Sequence, residues 1–496
     1  MDQSAPSTLA PNRDGPPRCA VVDLGSNSVR LVVYEGFGRN PVPIFNEKAV
    51  LRLGRGLQTT GRLNEAGVAQ ALKVMVRYHV IARAMGAAPF EVLATAAVRD
   101  AANGAEFVAA LEQRMPGASI RILTGQQEAA FSAAGLQCGV TGADGILADI
   151  GGGSLELVRL NPSGVIHAAT MRLGVIRLAE RADGDLDRAR DIADADLAEI
   201  SWLADGADRT LYLVGGAWRA LARLHMQSVR YPLGIVHQYT IGADAARDLA
   251  QMVTSAKLGG AHRRRAEDLP YAGVVLRRLL RATAARRVVF SAYGIREGWF
   301  MQSVPEHVRS LDPLLAAARE DADRLSRDRT LPPALVGWTA PLFPYEPPEV
   351  TRLRHAACWL SDTGSHDHPE YRAEITFERT LYAPGALDHP TRAFLALTMA
   401  TRYEAEPDAP YLATARALLD PAAITRAELL GTALRLAYTL SAGTPDLLAG
   451  TTLSLAPGRV ILRLDGPGVF AGDGVQRRLD RLANLLGLTA LVDERP

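Results

Sequence analysis

The chain has 496 residues, 55 Lys and Arg against 54 Asp and Glu, and a formal net charge of +1, enough length for about three or four domains. The balanced charge excludes a globally basic nucleic-acid coat and an acidic solvating tail, and no run of about 18 apolar residues is present to span a membrane. Three dispersed cysteines, Cys19, Cys138 and Cys358, exclude a disulfide framework or zinc ribbon and point to a reducing compartment, the cytoplasm. Only Lys48, Lys73 and Lys257 are lysines. This arginine bias reads as genomic base composition, not as a sign of function.

Residues 1–17 carry Pro6, Pro11, Pro16 and Pro17 without an apolar core and read as a disordered leader. The stretch Cys19 to Tyr34 places two β-branched runs around a Gly/Ser/Asn turn and predicts a hairpin. A helix is expected over Asn64 to Gly86, with Val68, Leu72, Met75 and His79 on its buried face. Strands are expected over Phe90 to Ala97 and Ser119 to Thr124. Helices are expected over Ala105 to Met115 and Gln126 to Leu136. Strands alternating with helices predict an α/β domain.

The pattern then restarts. Gly145 to Val158 predicts a second hairpin with a glycine-rich turn. With Asp23 set on Asp149, Gly25 meets Gly151, Ser28 meets Ser154, Leu31 meets Leu157 and Val32 meets Val158. Arg30 meets Glu156. Such register points to an internal duplication, two related lobes with both turns at one cleft. A third glycine element, Gly215-Gly216, ends one strand and opens the next helix. The second lobe closes over Val288 to Phe300.

Beyond about Pro305 the patterns become helical. The prolines between Pro332 and Pro348 mark a linker or an irregular loop. From about Asp446 a small ββαβ unit is expected. The resulting division is 1–17 leader, 18–137 first lobe, 138–304 second lobe, 305–444 helical domain and 445–496 tail.

Glycine-rich turns expose successive backbone N–H groups, and two of them across a cleft make a phosphate clamp. The clamp residues are Asp23, Gly25, Ser26, Asn27, Ser28 and Arg30 in the first turn. Gly151, Gly152, Gly153 and Ser154 form the second, with Gly215 and Gly216 beside them. Asp149 and Glu156 add hard oxygens suited to Mg²⁺, which prefers a few carboxylates together with phosphate oxygens. One lobe then offers positive charge and the other a metal, as a phosphoanhydride requires. Arg99 can fork onto a phosphate or pair with Asp100 at the surface. Glu128 can deprotonate water, or simply complement a helix dipole. The clusters His262 to Arg265 and Arg286-Arg287 either guide a polyanion or are solvated helix ends.

Six segments in one order carry a resemblance: Asp23 to Arg30, Ala94 to Arg99, Leu123 to Ala129, Asp149 to Glu156, Val214 to Gly216 and Tyr293 to Gly298. Together, over about Cys19 to Gly298, they resemble the exopolyphosphatase/guanosine pentaphosphate phosphatase (Ppx/GppA) family. The resemblance implies two actin-like, ribonuclease H-like lobes. It implies Glu128 as catalytic base, Asp149 and Glu156 serving Mg²⁺, and Arg30 and Arg99 gripping phosphate. The Gly215-Gly216 element resembles the adenosine motif of nucleotide-binding relatives. A homodimer is also implied.

More weakly, the carboxyl half resembles a helical HD phosphohydrolase-like domain around Leu353 to His368. Ser361 precedes Asp362 where the dyad would stand, and Glu404 replaces the downstream His. His355, Asp362, His366 and His368 remain readable as metal ligands, against a metal-free domain that extends the path of a polymer. The expected activity is release of orthophosphate from inorganic polyphosphate. Attack on guanosine pentaphosphate, an actin-fold kinase or ATPase, and a non-catalytic polyphosphate or nucleotide sensor are the alternatives. Neither nucleic acid nor a membrane is an expected partner.

Overall fold

The structure, a computed structural model, describes residues 15–255, 268–465 and 471–494. Most of the leader and the His262 to Arg265 cluster lie outside the described residues. The chain divides into two compact units, Met1–Ser310 and Leu311–Pro496.

The first unit contains two sheets of matching topology. One comprises β1 (Arg18–Leu24), β2 (Ser28–Glu35), β3 (Val42–Val50), β4 (Ala87–Ala94) and β5 (Ser119–Ile122), ordered β3-β2-β1-β4-β5. The other comprises β6 (Gly145–Ile150), β7 (Leu155–Asn161), β8 (Gly164–Met171), β9 (Thr210–Val214), β10 (Tyr239–Gly242) and β11 (Arg287–Ser291), ordered β10-β11-β9-β6-β7-β8. In each, an antiparallel three-strand meander continues through parallel pairing, β1 to β4 to β5 and β6 to β9 to β11. Meander and parallel part coincide in order, so the duplication read from ten residues extends to five strands of each sheet; β10, antiparallel to β11, has no counterpart in the first.

Strand alternation decides what faces the cleft. Ala20, Val22 and Leu24 pack on one face of the first sheet, with Met75, Tyr78, Phe107 and Leu111 of the helices Glu65–Ala84 and Gly104–Arg114. Cys19 and Val21 pack on the other, with Phe131 of Gly125–Gly139 and Phe300 of Ile295–Ser303. In the second sheet Ile146, Ala148 and Ile150 enter a large helical core. Leu147, Val158 and Leu160 meet Ala129, Ala133 and Leu136 of Gly125–Gly139. That helix is thus shared by both sheets. By the same alternation Asp149 and Glu156 lie on the face it covers. It packs tightly on Ile295–Ser303: a Cβ on Gly135 would lie 2.0 Å from the Gly294 carbonyl oxygen, and one on Gly298 1.9 Å from that of Phe131. Only glycine permits such backbone approach.

Several local expectations change. The strand predicted through Ala97 ends at Ala94, because Val98 and Arg99 donate their N–H groups to the Thr95 carbonyl and begin the helix Ala96–Asp100. On Glu65–Ala84, Met75 and His79 are buried as expected, together with Gly67, Ala71, Tyr78 and Ala82, but Val68 and Leu72 are only partly covered. Of the prolines from Pro332 to Pro348, Pro332 and Pro333 open Leu331–Thr339 and Pro348 opens Pro348–Leu360, while Pro344 and Pro347 lie in the irregular turn between them. Proline is tolerated at a helix start because first-turn N–H groups have no intrahelical acceptor.

The second unit is helical from Pro313 to Ala449 and ends in β12 (Thr451–Ala456), β13 (Arg459–Leu464), the helix Asp473–Leu485 and β14 (Thr489–Glu494). Strand order β12-β13-β14 is the ββαβ arrangement. Asp362 accepts from the Arg327 backbone N at 2.9 Å and from its Nη2 at 2.8 Å. Glu404 pairs with Arg435 and Arg478, each at 2.7 Å. Ser361 Oγ lies 3.0 Å from the Tyr438 hydroxyl, while His366 and His368 are exposed.

Candidate active site

A cleft of the first unit gathers the carboxyl ends of β1, β4, β6 and β9, the position where open α/β sheets bind ligands. Every clamp residue named from the sequence lines it, as do Asp149, Glu156 and Glu128; Arg99 does not. The two turns are built alike. Gly25 N donates to Ser28 O at 3.1 Å, and Gly151 N to Ser154 O at 3.0 Å. They meet face to face, since a Cβ on Gly153 would sit 2.8 Å from Ser26 Oγ. Gly215 adopts φ +122°, and a Cβ there would lie 2.3 Å from the Ile150 carbonyl oxygen, so the third glycine element closes tightly against the second turn.

Strand register fixes the charges. Asp23 lies opposite Arg30, and Arg30 opposite Lys48, across β1, β2 and β3. The corresponding row of the second sheet is Asp149, Glu156 and Thr170. Arg30 Nη1 donates to Asn46 Oδ1 at 3.2 Å.

Helix Gly125–Gly139 supplies the other wall. Thr124 caps it, accepting from Gln127 N at 3.2 Å, while Gln127 Oε1 accepts from Thr124 N at 2.9 Å. That reciprocal cap anchors the first turn. Glu128 follows it and is 2 % exposed. Ser132, one turn on and so on the same helix face, donates to Asp149. Glu128 accepts from Arg99 Nη1, which also donates to the Leu123 carbonyl oxygen at 2.9 Å. Arg99 Nε meets Asp100 Oδ1 at 3.2 Å. The arginine therefore stands behind Glu128, occupied by a carboxylate on either side.

Four carboxyls share this cleft. Burial pushes Glu128 up to about 7, against the opposing pull of Arg99. Burial pushes Asp149 up to about 6, against its bond from Ser132. Glu156 is driven well above the usual carboxylate range by burial and then by its neighbours Glu128 and Asp149. Asp23 is also raised by burial, countered first by Arg296 and then by Arg30. Such crowding of acids is costly unless a cation balances it. Glu156 Oε1 is buried without a hydrogen-bond partner, an acceptor that suits a hard cation. Among the described residues no three His, Cys, Asp or Glu side chains form a complete metal cage. Two carboxylates completed by phosphate oxygens and water fit Mg²⁺ on these donors.

Sequence reasoning missed Lys48, Arg219 and Arg296, which also line the cleft. Arg296 is 9 % exposed and lies in the field of Asp23 and Asp149. It stood in the quoted Tyr293 to Gly298 segment without a role. Arg219 follows Gly216 by three residues, nearly one helical turn, a spacing that could have found it. Ser132, also missed, is the i+4 neighbour of Glu128, a spacing that could have found it. Lys48 needed the β2–β3 register. Of the Arg286-Arg287 cluster, Arg287 Nε donates to Thr210 Oγ1 at 2.8 Å.

The comparisons agree with this architecture. The Ppx/GppA phosphatase family matches residues 32–307, and the exopolyphosphatase C-terminal family matches residues 314–492. The chain is 28% identical over 309 residues to Exopolyphosphatase 1 of Mycobacterium bovis, covering 58% of this chain and 88% of that protein. It is 26% identical over 305 residues to Exopolyphosphatase 1 of Mycobacterium leprae, covering 58% and 89%. A solved exopolyphosphatase from Cytophaga hutchinsonii has the same fold with TM-score 0.53 at 22% identity, over 58% of this chain and 99% of that one. With two actin-like lobes, paired glycine turns and a family match over most of the first unit, the chain belongs to the Ppx/GppA phosphatase family and is a hydrolase.

Proposed function

We propose that the chain hydrolyses the terminal phosphoanhydride bond of inorganic polyphosphate and releases orthophosphate. The observation that carries this is the placement of Glu128: a buried carboxyl held by Arg99, in the cleft lined by the two facing glycine turns. Turn amides together with Arg30, and with Lys48 beside it, bind and orient the end of the chain. Glu128, whose proton affinity is raised by burial, takes a proton from the attacking water. Mg²⁺ on Asp149 and Glu156 would neutralise phosphate charge. Arg296, in the field of Asp23 and Asp149, offsets part of their negative charge. The same site chemistry would also accept a nucleoside with a 5′ phosphoanhydride chain, so guanosine pentaphosphate is the second reading. We further place the protein in the cytoplasm as a homodimer. The three cysteines are buried and free, with thiols pushed up to about 12, 11 and 12 by burial, which suits a reducing compartment. No described helix is long and apolar enough to cross a membrane. In the second unit Asp362 and Glu404 are held by arginines, which supports reading that unit as metal-free.

The test is phosphate release measured side by side on long polyphosphate, short polyphosphate and guanosine pentaphosphate. Faster turnover of polyphosphate is expected. Turnover of guanosine pentaphosphate alone would move the assignment to the second reading.

A further inference from the structure

We propose that Asp100 and Arg177 are positioning residues that couple the meeting of the two lobes to the orientation of Glu128. The proposal rests on reading Glu128 as the base. Arg177 belongs to the helix Val175–Arg181 of the second lobe and is 5 % exposed. Its Nη2 donates to Asp100 Oδ2 at 2.7 Å. Asp100 ends the helix Ala96–Asp100 of the first lobe, and its other oxygen accepts from Arg99 Nε at 3.2 Å. Arg99 Nη1 in turn holds Glu128. Charges therefore alternate, positive, negative, positive, negative, from one lobe to the base in the cleft.

The chain of contacts is stiff for a chemical reason. A guanidinium is planar and presents its donors in a fixed fork. Arg99 uses Nε for Asp100 and Nη1 for Glu128, so turning the plane at one end turns it at the other. Arg177 also sits at the second glycine turn, its Nη2 3.7 Å from where a Cβ on Gly153 would be. A shift between the lobes thus reaches Glu128 through three ion pairs.

One turn along the same helix, Glu180 provides an internal comparison. It accepts from Gly56 N at 2.7 Å and from Gln58 N at 3.4 Å. This contact also ties the lobes, but its partners are backbone N–H groups, whereas Asp100 leads on through Arg99 to Glu128. If Asp100 acts by orientation, it must differ from Glu180 in its effect on turnover.

The experiment compares Asp100→Asn, Arg177→Lys, their double variant and Glu180→Gln in the full-length protein. It measures kcat and KM on polyphosphate, and hydrogen exchange around Glu128 without substrate. Asp100→Asn should lower kcat roughly 10- to 100-fold, the scale of a small misplacement of a reacting group, with KM little changed and faster exchange over residues 125–131. The double variant should be no worse than Asp100→Asn, because both changes break one bond. Glu180→Gln should leave kcat and that exchange unchanged. Equal kcat and exchange in Asp100→Asn and wild type would overturn the proposal, as would an equal kcat loss in Glu180→Gln. If the wild type releases no phosphate from any phosphoanhydride, the functional reading fails. The exchange arm then decides alone: unchanged exchange in Asp100→Asn overturns the coupling and faster exchange upholds it. Should Arg177→Lys not fold, Asp100→Asn still decides, since that side chain is 29% exposed.

Discussion

The two lobes share a sheet order and a turn hydrogen bond, yet their matching rows carry different charge: Asp23, Arg30 and Lys48 in one, Asp149, Glu156 and Thr170 in the other. Equal backbones give two amide cradles facing each other. Unequal side chains make one row rich in cations and the other rich in carboxylate. The difference shows how a duplicated scaffold becomes asymmetric while keeping its strand order: an Arg and a Glu, exchanged at one register position, give the two rows opposite charge. A substrate with charge along its whole length gains from both sides.

The comparison can be broken at the carboxylate row first. Asp149→Asn or Glu156→Gln should raise the Mg²⁺ needed for half-maximal activity by at least about 10-fold, since each removes an anionic ligand or its support. A titration of activity against Mg²⁺ checks this, and an unchanged midpoint in both variants removes these residues from the metal. Breaking the cationic row should do something different. Arg30→Gln should raise KM roughly 10-fold, the effect of one lost charge-assisted phosphate contact, while leaving the Mg²⁺ midpoint in place. An Mg²⁺ shift in Arg30→Gln would erase the division between lobes.

A smaller effect sharpens the electrostatics of the shared helix. The Glu128 carboxyl titrates near 7 in the fold and near about 4.3 when unfolded. Between those values the folded protein binds more protons, so stability falls as pH rises through that range. Glu128→Gln removes this loss. Its gain in Tm over wild type, in chelator, should be a few degrees larger at pH 8 than at pH 5. An equal gain at both values would place the carboxyl near its ordinary range.

Much of this site was legible because it is local. The turns around Gly25 and Gly151 repeat over ten residues, and the position of Glu128 follows from a strand, a cap and a helix in sequence. The role of Arg99 was less legible, since Ala96 and Ala97 turn helical after Thr95 and rotate the arginine behind Glu128. Lys48 enters the cleft through strand register, and Arg177 reaches Asp100 across 77 positions. Neither partner is visible in a one-dimensional pattern. The proline stretch was half legible: Pro344 and Pro347 do lie in an irregular turn, but Pro332, Pro333 and Pro348 start helices, since the residue that breaks a helix interior is tolerated in its first turn.

The most direct measurement is hydrolysis and binding of polyphosphate by Glu128→Gln. The account predicts binding close to wild type and kcat lower by roughly 10²–10⁴-fold, because the turns, Arg30 and the metal carboxylates stay in place while the proton acceptor is gone. Near-wild-type turnover by a folded Glu128→Gln protein would contradict it.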